Sequence, residues 1–301
     1  MAVSTDARWR FLDPATVARI ASLELRARTV VEGFIQGLHR SPFRGFSVEF
    51  AEYRQYMPGD DLSSLDWKVY ARSDRHVVKK FEEETNLQCH LLLDVSASMG
   101  YEGGGLSKIE YGTTLAACLA YLMTRQRDAV SLTTFSDQIV ERLAASSRPG
   151  HVRTVLLALE RMRLGKRSNV SKPLHQLAET LARRGVVIVI SDLLDDPAAV
   201  IRGLKHVRFR GMEVIVFHLL HPDELTFPFE RATRFRDLES DQEVTTDPDV
   251  VRGRYLEQMG GLIARYTHEL KGNGVDYRLV DTSKPLDLAL IAYLSARGRA
   301  L

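Results

Sequence analysis

The stretch His90-Leu91-Leu92-Leu93-Asp94-Val95-Ser96-Ala97-Ser98-Met99-Gly100 decides both the fold and the candidate chemistry of this chain. Its apolar part, residues 89–95, reads as a buried strand. That strand delivers one aspartate and two alternate hydroxyls into the loop at its carboxyl end, where open α/β sheets bind their ligands. The D-x-S-x-S spacing lets a carboxylate and two hydroxyl oxygens face one hard cation, and magnesium favours such oxygen ligands in an octahedron while keeping some waters.

From residue 87 onward, short apolar runs alternate with helical patterns, which predicts an α/β fold built on a mainly parallel sheet with helices on both faces. The further runs are residues 129–135, 186–190, 212–219 and 275–280. Val152, Val155, Leu156, Leu159 and Met162 mark one helix face, and Leu174, Leu177, Ala178 and Leu181 a second. Tyr255, Met259, Leu262, Ile263, Tyr266 and Leu270 mark a third. The turn Ser136-Asp137-Gln138 leaves no room for a crossover helix, so Ile139-Val140 is expected to return antiparallel at a sheet edge. Residues 226–246 predict an inserted hairpin.

A second apolar strand, Val186-Val187-Ile188-Val189-Ile190, ends in Ser191-Asp192 and brings another carboxylate to the same sheet edge if the two strands are neighbours. Two carboxylates there repel each other unless a cation joins them. Between the strands, Gly165-Lys166-Arg167-Ser168-Asn169-Val170-Ser171-Lys172-Pro173-Leu174 reads as a loop entering a helix, with hydroxyls able to complete a coordination shell. These elements resemble a von Willebrand factor A-type domain with its metal-ion-dependent adhesion site. Asp94, Ser96 and Ser98 match the D-x-S-x-S element, Ser168 falls where a threonine is expected, and Asp192 matches the aspartate after a later strand. Serine keeps the hydroxyl but lacks the methyl that restricts a threonine's rotamer; Asn169 or Ser171 would serve under a different loop register. The resemblance implies Mg2+, with Mn2+ or Ca2+ as alternatives, held by these five residues. It implies a Rossmann-like, von Willebrand factor A-like fold over residues 87–301.

The first 86 residues read as an appendage. Asp13 suits a helix N-cap and Pro14 the first turn, and Ile20, Leu23, Ala27, Val30, Phe34 and Leu38 recur at helical spacing up to Ser41-Pro42. Residues 46–56 and 69–85 are alternating and extended, joined by the turn-rich Met57-Pro58-Gly59-Asp60-Asp61. The stretch from Phe46 to Asp61, with Leu65-Asp66-Trp67-Lys68, Ala71-Arg72 and Lys79-Lys80-Phe81-Glu82-Glu83-Glu84, resembles the signature of the bacterial family called domain of unknown function 58. That resemblance implies a metal-dependent adaptor or chaperone-like partner of a MoxR-type AAA+ ATPase.

The 301 residues are 45% hydrophobic and 27% charged, the composition of a globular chain. The 41 basic and 39 acidic residues leave a net charge of +2, and residues 40–84 hold eight Lys and Arg against nine Asp and Glu, so no basic field favours nucleic acid. Cys89 and Cys118 form no C-x-x-C and read as small core residues. The charged N-terminus lacks the apolar core of a secretory signal, and no run reaches the length of a membrane span, so a cytoplasmic location is expected.

Asp60, Asp61, Asp66, Trp67 and Arg72 are a candidate partner surface, weighed against a structural turn whose charges pair with one another. Gly103-Gly104-Gly105 is not a phosphate loop, because Lys108 is not framed by a G-x-x-x-x-G-K-[ST] motif. His218 and His221, with Asp223, follow a strand, but no third strong ligand is spaced to complete a zinc site. The expected function is therefore a binding module, not an enzyme: a magnesium ion coordinated by the chain and completed by an acidic side chain of a MoxR-type ATPase or its client complex. The second reading is a hydrolase using the same ion to activate water.

Overall fold

The computed structural model describes residues 13–39, 53–55, 77–79, 87–166, 169–181 and 185–300. Its main sheet holds β3 (Gln88–Asp94), β4 (Ala129–Phe135), β5 (Ile139–Ser146), β6 (Gly185–Ser191), β7 (Glu213–Leu220) and β10 (Asp276–Asp281) in the order β10-β7-β6-β3-β4-β5. All neighbours are parallel except β5, which returns antiparallel to β4 at the edge, as the short turn at Ser136 requires. The chain starts in the middle, winds out to one edge, and comes back to wind out to the other. The order reverses between β3 and β6, which is the switch point where doubly wound sheets leave a crevice for ligands.

Side chains of the central strands alternate between two helical layers. Leu91, Leu93, Ile188 and Ile190 pack with α3 (Lys108–Arg125), α4 (His151–Arg161) and α9 (Asp287–Ala300). Leu92, Val187 and Val189 pack on the opposite side with α5 (Ser171–Thr180), α6 (Pro197–Phe209) and α8 (Pro248–Gly272). Burial on both faces is why these strands read as unbroken apolar runs. The inserted hairpin is present as β8 (Thr233–Arg236) and β9 (Glu243–Thr246), with Phe235 opposite Val244, between the short α7 (Pro222–Thr226) and α8.

The N-terminal helix predicted as one is two, α1 (Pro14–Ala18) and α2 (Leu23–His39). Asp13 caps the first by accepting the Thr16 N–H at 2.9 Å. The break is stabilised from both sides: the Arg26 guanidinium donates to the carbonyls of Ala18 and Ile20 at 2.9 Å each, and Ser22 Oγ accepts the Leu25 N–H at 3.3 Å. Helix periodicity could not show this, because it is the Arg26 side chain that satisfies the freed carbonyls. Helix α2 lies on α3 and α4, with Ala27, Val30, Val31 and Phe34 buried in the same core as β3. Two side-chain bonds fix it there, Arg26 to Thr114 at 3.2 Å and the Leu23 N–H to Glu160 at 3.3 Å.

Of the predicted extended appendage, β1 (Tyr53–Gln55) and β2 (Val77–Lys79) pair antiparallel, with Arg54 opposite Val78. Cys89 and Cys118 are both buried in the core, and burial pushes the Cys118 thiol well up. Among the described residues no helix is long and apolar enough to cross a membrane.

Candidate metal centre at the sheet switch point

Strands β3 and β6 are in register with Leu93 opposite Ile190, so Asp94 and Ser191 emerge side by side at their carboxyl ends. Asp94 is fully buried. Its Oδ1 accepts the Ser96 N–H at 2.8 Å and its Oδ2 accepts the Ser191 hydroxyl at 2.6 Å, which fixes the carboxylate plane and leaves each oxygen a second lone pair. The chain then enters a single 3-10 turn, Ala97–Gly100, that carries Ser98 back over Ser96. Their hydroxyl oxygens lie 3.0 Å apart.

That spacing is chemically apt. The two hydroxyls are hydrogen-bonded to each other, and their separation is also the one, about 3.0 Å, that adjacent oxygens of a magnesium octahedron with bonds near 2.1 Å would have. Ser96 is buried and Ser98 half-buried, which leaves one side of the cluster facing solvent. Burial first, and then the charge of Asp192, push the Asp94 carboxyl up to about 7. A carboxylate so destabilised gains most from a nearby cation.

The loop after α4 closes over this turn. The Gly165 N–H donates to the Val95 carbonyl at 2.6 Å, and a Cβ on residue 165 would meet Ser136 Cβ and Oγ at 2.8 Å, so glycine is what allows the approach. Downstream the Val170 N–H is held by Asp195 at 3.0 Å, and Asn169 is engaged in capping, accepting the Lys172 N–H at 3.0 Å. Ser168 lies outside the described residues, as do Asp60, Asp61, Asp66, Trp67 and Arg72.

Asp192 reaches the same edge but is already paired. Its Oδ2 accepts from Lys108 Nζ at 2.8 Å with both side chains fully buried, and its Oδ1 accepts the Leu194 N–H at 3.3 Å. Lys108 Nζ also donates to Glu224 Oε1 at 2.6 Å. Burial opposes the charge on Lys108, but the Asp192 and Glu224 carboxylates outweigh it and hold the ammonium above the ordinary lysine value. Asp192 and Glu224 thus share one ammonium, while Asp94 lies at the same sheet edge bonded to Ser96 and Ser191 instead. Leu193, next in the chain, is buried at φ 51°, a left-handed conformation that turns the chain sharply after β6. The turn is tied by the Leu193 N–H to Ser191 Oγ at 2.9 Å and by the Tyr266 hydroxyl to the Leu193 carbonyl at 3.0 Å.

The structure therefore brings Asp94, Ser96, Ser98 and Asp192 to one edge, with Asp192 held through Lys108. Among the described residues no three His, Cys, Asp or Glu side chains form a metal-holding group, so hydroxyls are essential to any cation site here. His218 faces the core instead, with Nδ1 2.7 Å from the Tyr277 hydroxyl. His221 and Asp223 lie in the N-terminal turn of α7, where His221 Nδ1 accepts the Asp223 N–H at 3.2 Å.

Sequence reasoning missed Ser191, Lys108 and Glu224. A signal for Lys108 was present: Ser107-Lys108-Ile109-Glu110 is a capping box, which puts the lysine in the first turn of α3. A cation at that positive end of the helix dipole needs a carboxylate partner.

A family model described as "Protein of unknown function DUF58" matches residues 52–260. Uncharacterized proteins of Mycobacterium tuberculosis and Mycobacterium bovis are each 25% identical over 292 residues, which is 95% of this chain and 91% of theirs. Solved structures similar to this chain include the conserved hypothetical protein BatB from Bacteroides thetaiotaomicron, 18% identical with a TM-score of 0.49, over 71% of this chain and 98% of that one. They also include the SpRpn10 VWA domain, 10% identical with a TM-score of 0.36, over 68% of this chain and 93% of that one.

Proposed function

The chain belongs to the DUF58 family, and from that premise we propose that it is a metal-dependent protein-binding module. In this reading Asp94, Ser96 and Ser98 hold a magnesium ion, Ser168 and Asp192 complete its surroundings, and an acidic side chain of a partner takes an open position. The ion supplies a concentrated positive charge; the chain's own groups orient the donors and exclude water from all but the Ser98 side. The partner proposed is a MoxR-type AAA+ ATPase or the complex it remodels, a choice supported by family membership.

The observation that carries the reading is the 3.0 Å spacing of the Ser96 and Ser98 hydroxyls beside the buried Asp94 carboxylate, at the switch point of the sheet. The test is calorimetry of magnesium binding to wild type and Asp94→Ala, followed by recovery of the ATPase from the native host with and without chelator. Binding lost in Asp94→Ala, with partner recovery lost in parallel, is the expected result. Equal recovery with and without chelator defeats the metal-bridged version. Magnesium-dependent turnover in a phosphatase and peptidase screen, abolished by Asp94→Ala, would replace the module by a hydrolase.

A further inference from the structure

Lys108 does more than neutralise Asp192. It occupies the first position of α3, the wrong end of a helix for a cation, and its side chain is fully buried. Its ammonium is divided between Asp192 Oδ2 at 2.8 Å and Glu224 Oε1 at 2.6 Å. Glu224 belongs to α7, and its other oxygen accepts the His221 N–H at 2.7 Å, closing the N-terminal turn of that helix.

Helix α7 has five residues, too few to be stable alone, so its position depends on what holds it. Besides Lys108, the Tyr101 hydroxyl donates to Asp223 at 2.9 Å from the loop that follows the Ser98 turn. In that loop Gly103 has φ +49° and approaches so closely that a Cβ would collide with Asp223 and His221. On the far side the Tyr255 hydroxyl donates to the Glu224 carbonyl at 3.1 Å. Immediately after α7, Phe227 stacks on Phe235 of β8 with ring centroids 5.5 Å apart and meets Tyr255 at 4.6 Å. The path from Asp192 to the hairpin is therefore continuous: Asp192, Lys108, Glu224, Tyr255, Phe227, Phe235.

We propose that Lys108 is a positioning residue that couples cation occupancy beside Asp94 to the anchoring of residues 221–235, an inference that rests on the metal-binding reading above. Asp192 and Glu224 compete for one ammonium. A divalent ion near Asp94 takes up part of the charge of Asp192, and the ammonium is then given more fully to Glu224. Helix α7 and the strand that follows are held more firmly when the ion is bound. By linkage, anchoring of α7 and cation binding favour each other by the same factor.

The test is hydrogen–deuterium exchange of the full chain, read by mass spectrometry, in chelator and in saturating magnesium, for wild type, Glu224→Gln and Lys108→Met. Glu224→Gln keeps an oxygen for the His221 N–H while removing the charge, and it serves if Lys108→Met fails to fold. In wild type, magnesium is expected to slow exchange over residues 94–100 and, by about fivefold or more, over 221–232. In Glu224→Gln the response at 94–100 persists and that at 221–232 is lost. A response at 94–100 with unchanged or faster exchange at 221–232 overturns the coupling and leaves the metal site standing, as does a full response in Glu224→Gln. No response at 94–100 in wild type overturns the metal reading and the coupling with it.

Discussion

Ser191 donates its hydroxyl to Oδ2 of Asp94 at 2.6 Å, so the last residue of β6 clamps the last residue of β3 across the switch point of the sheet. The same hydroxyl oxygen accepts the Leu193 N–H at 2.9 Å and so anchors the strained turn that carries Asp192. One serine organises both carboxylates.

Ser191→Ala strips a buried carboxylate of its strongest hydrogen bond and orphans the Leu193 N–H. Loss of about 1–3 kcal/mol of stability is expected at neutral pH, measurable by urea denaturation. A variant as stable as wild type would show that the clamp contributes nothing.

Asp94→Asn isolates the pH dependence of the cluster. Burial, then Asp192, raise the Asp94 carboxyl to about 7 in the native state, so between about pH 4 and 7 the folded chain retains a proton that the unfolded chain has released. That raised value makes stability fall as pH rises through the window. Buried His90 and His218, both lowered to about 4 chiefly by desolvation, act in the opposite direction, because the unfolded chain protonates them first as pH falls below 6.5. The difference between Asp94→Asn and wild type cancels the histidines. In chelator it should shift in favour of the variant by an amount on the order of 2–4 kcal/mol from pH 4 to 7.5, and magnesium should abolish that gain. A flat difference across this range in chelator would refute it.

Gly165→Ala drives a methyl group into Ser136, whose Cβ and Oγ would lie at 2.8 Å. The loop must then withdraw from the Val95 carbonyl, at a cost of about 1–3 kcal/mol. Denaturation should report that cost, and calorimetry a weaker magnesium affinity, because the withdrawn loop is the one that leads to residue 168.

Phe34→Ala tests whether α2 is part of the main core. Phe34 is 1% exposed within the cluster that includes Leu91 and Leu93, so truncation should cost about 3–5 kcal/mol and shift one cooperative transition. Two resolved transitions, with only the smaller one moved, would mean that α2 folds as an independent unit.

Much of this architecture is legible from local pattern. The apolar runs at 89–95, 129–135 and 186–190 correspond to β3, β4 and β6 within one or two residues, and the three-residue turn at Ser136 correctly forces β5 to run antiparallel. Asp94, Ser96 and Ser98 were legible because D-x-S-x-S is a contiguous loop whose geometry the strand end sets. The interruption of the first helix was not, since it depends on Arg26 folding back onto Ala18 and Ile20. Nor was the engagement of Asp192.

Local pattern alone is enough to specify a mainly parallel α/β sheet with a carboxylate and two hydroxyls at the end of one central strand, because strand burial and loop spacing are short-range properties of the chain. Tertiary structure alone decided how those charges are shared. Lys108 meets Asp192 across 84 positions and Glu224 across 116, and Ser191 meets Asp94 only because β3 and β6 are neighbours with Leu93 opposite Ile190. Electrostatic pairing acts through space in a dry interior, so the partners of a buried charge follow from strand order and register.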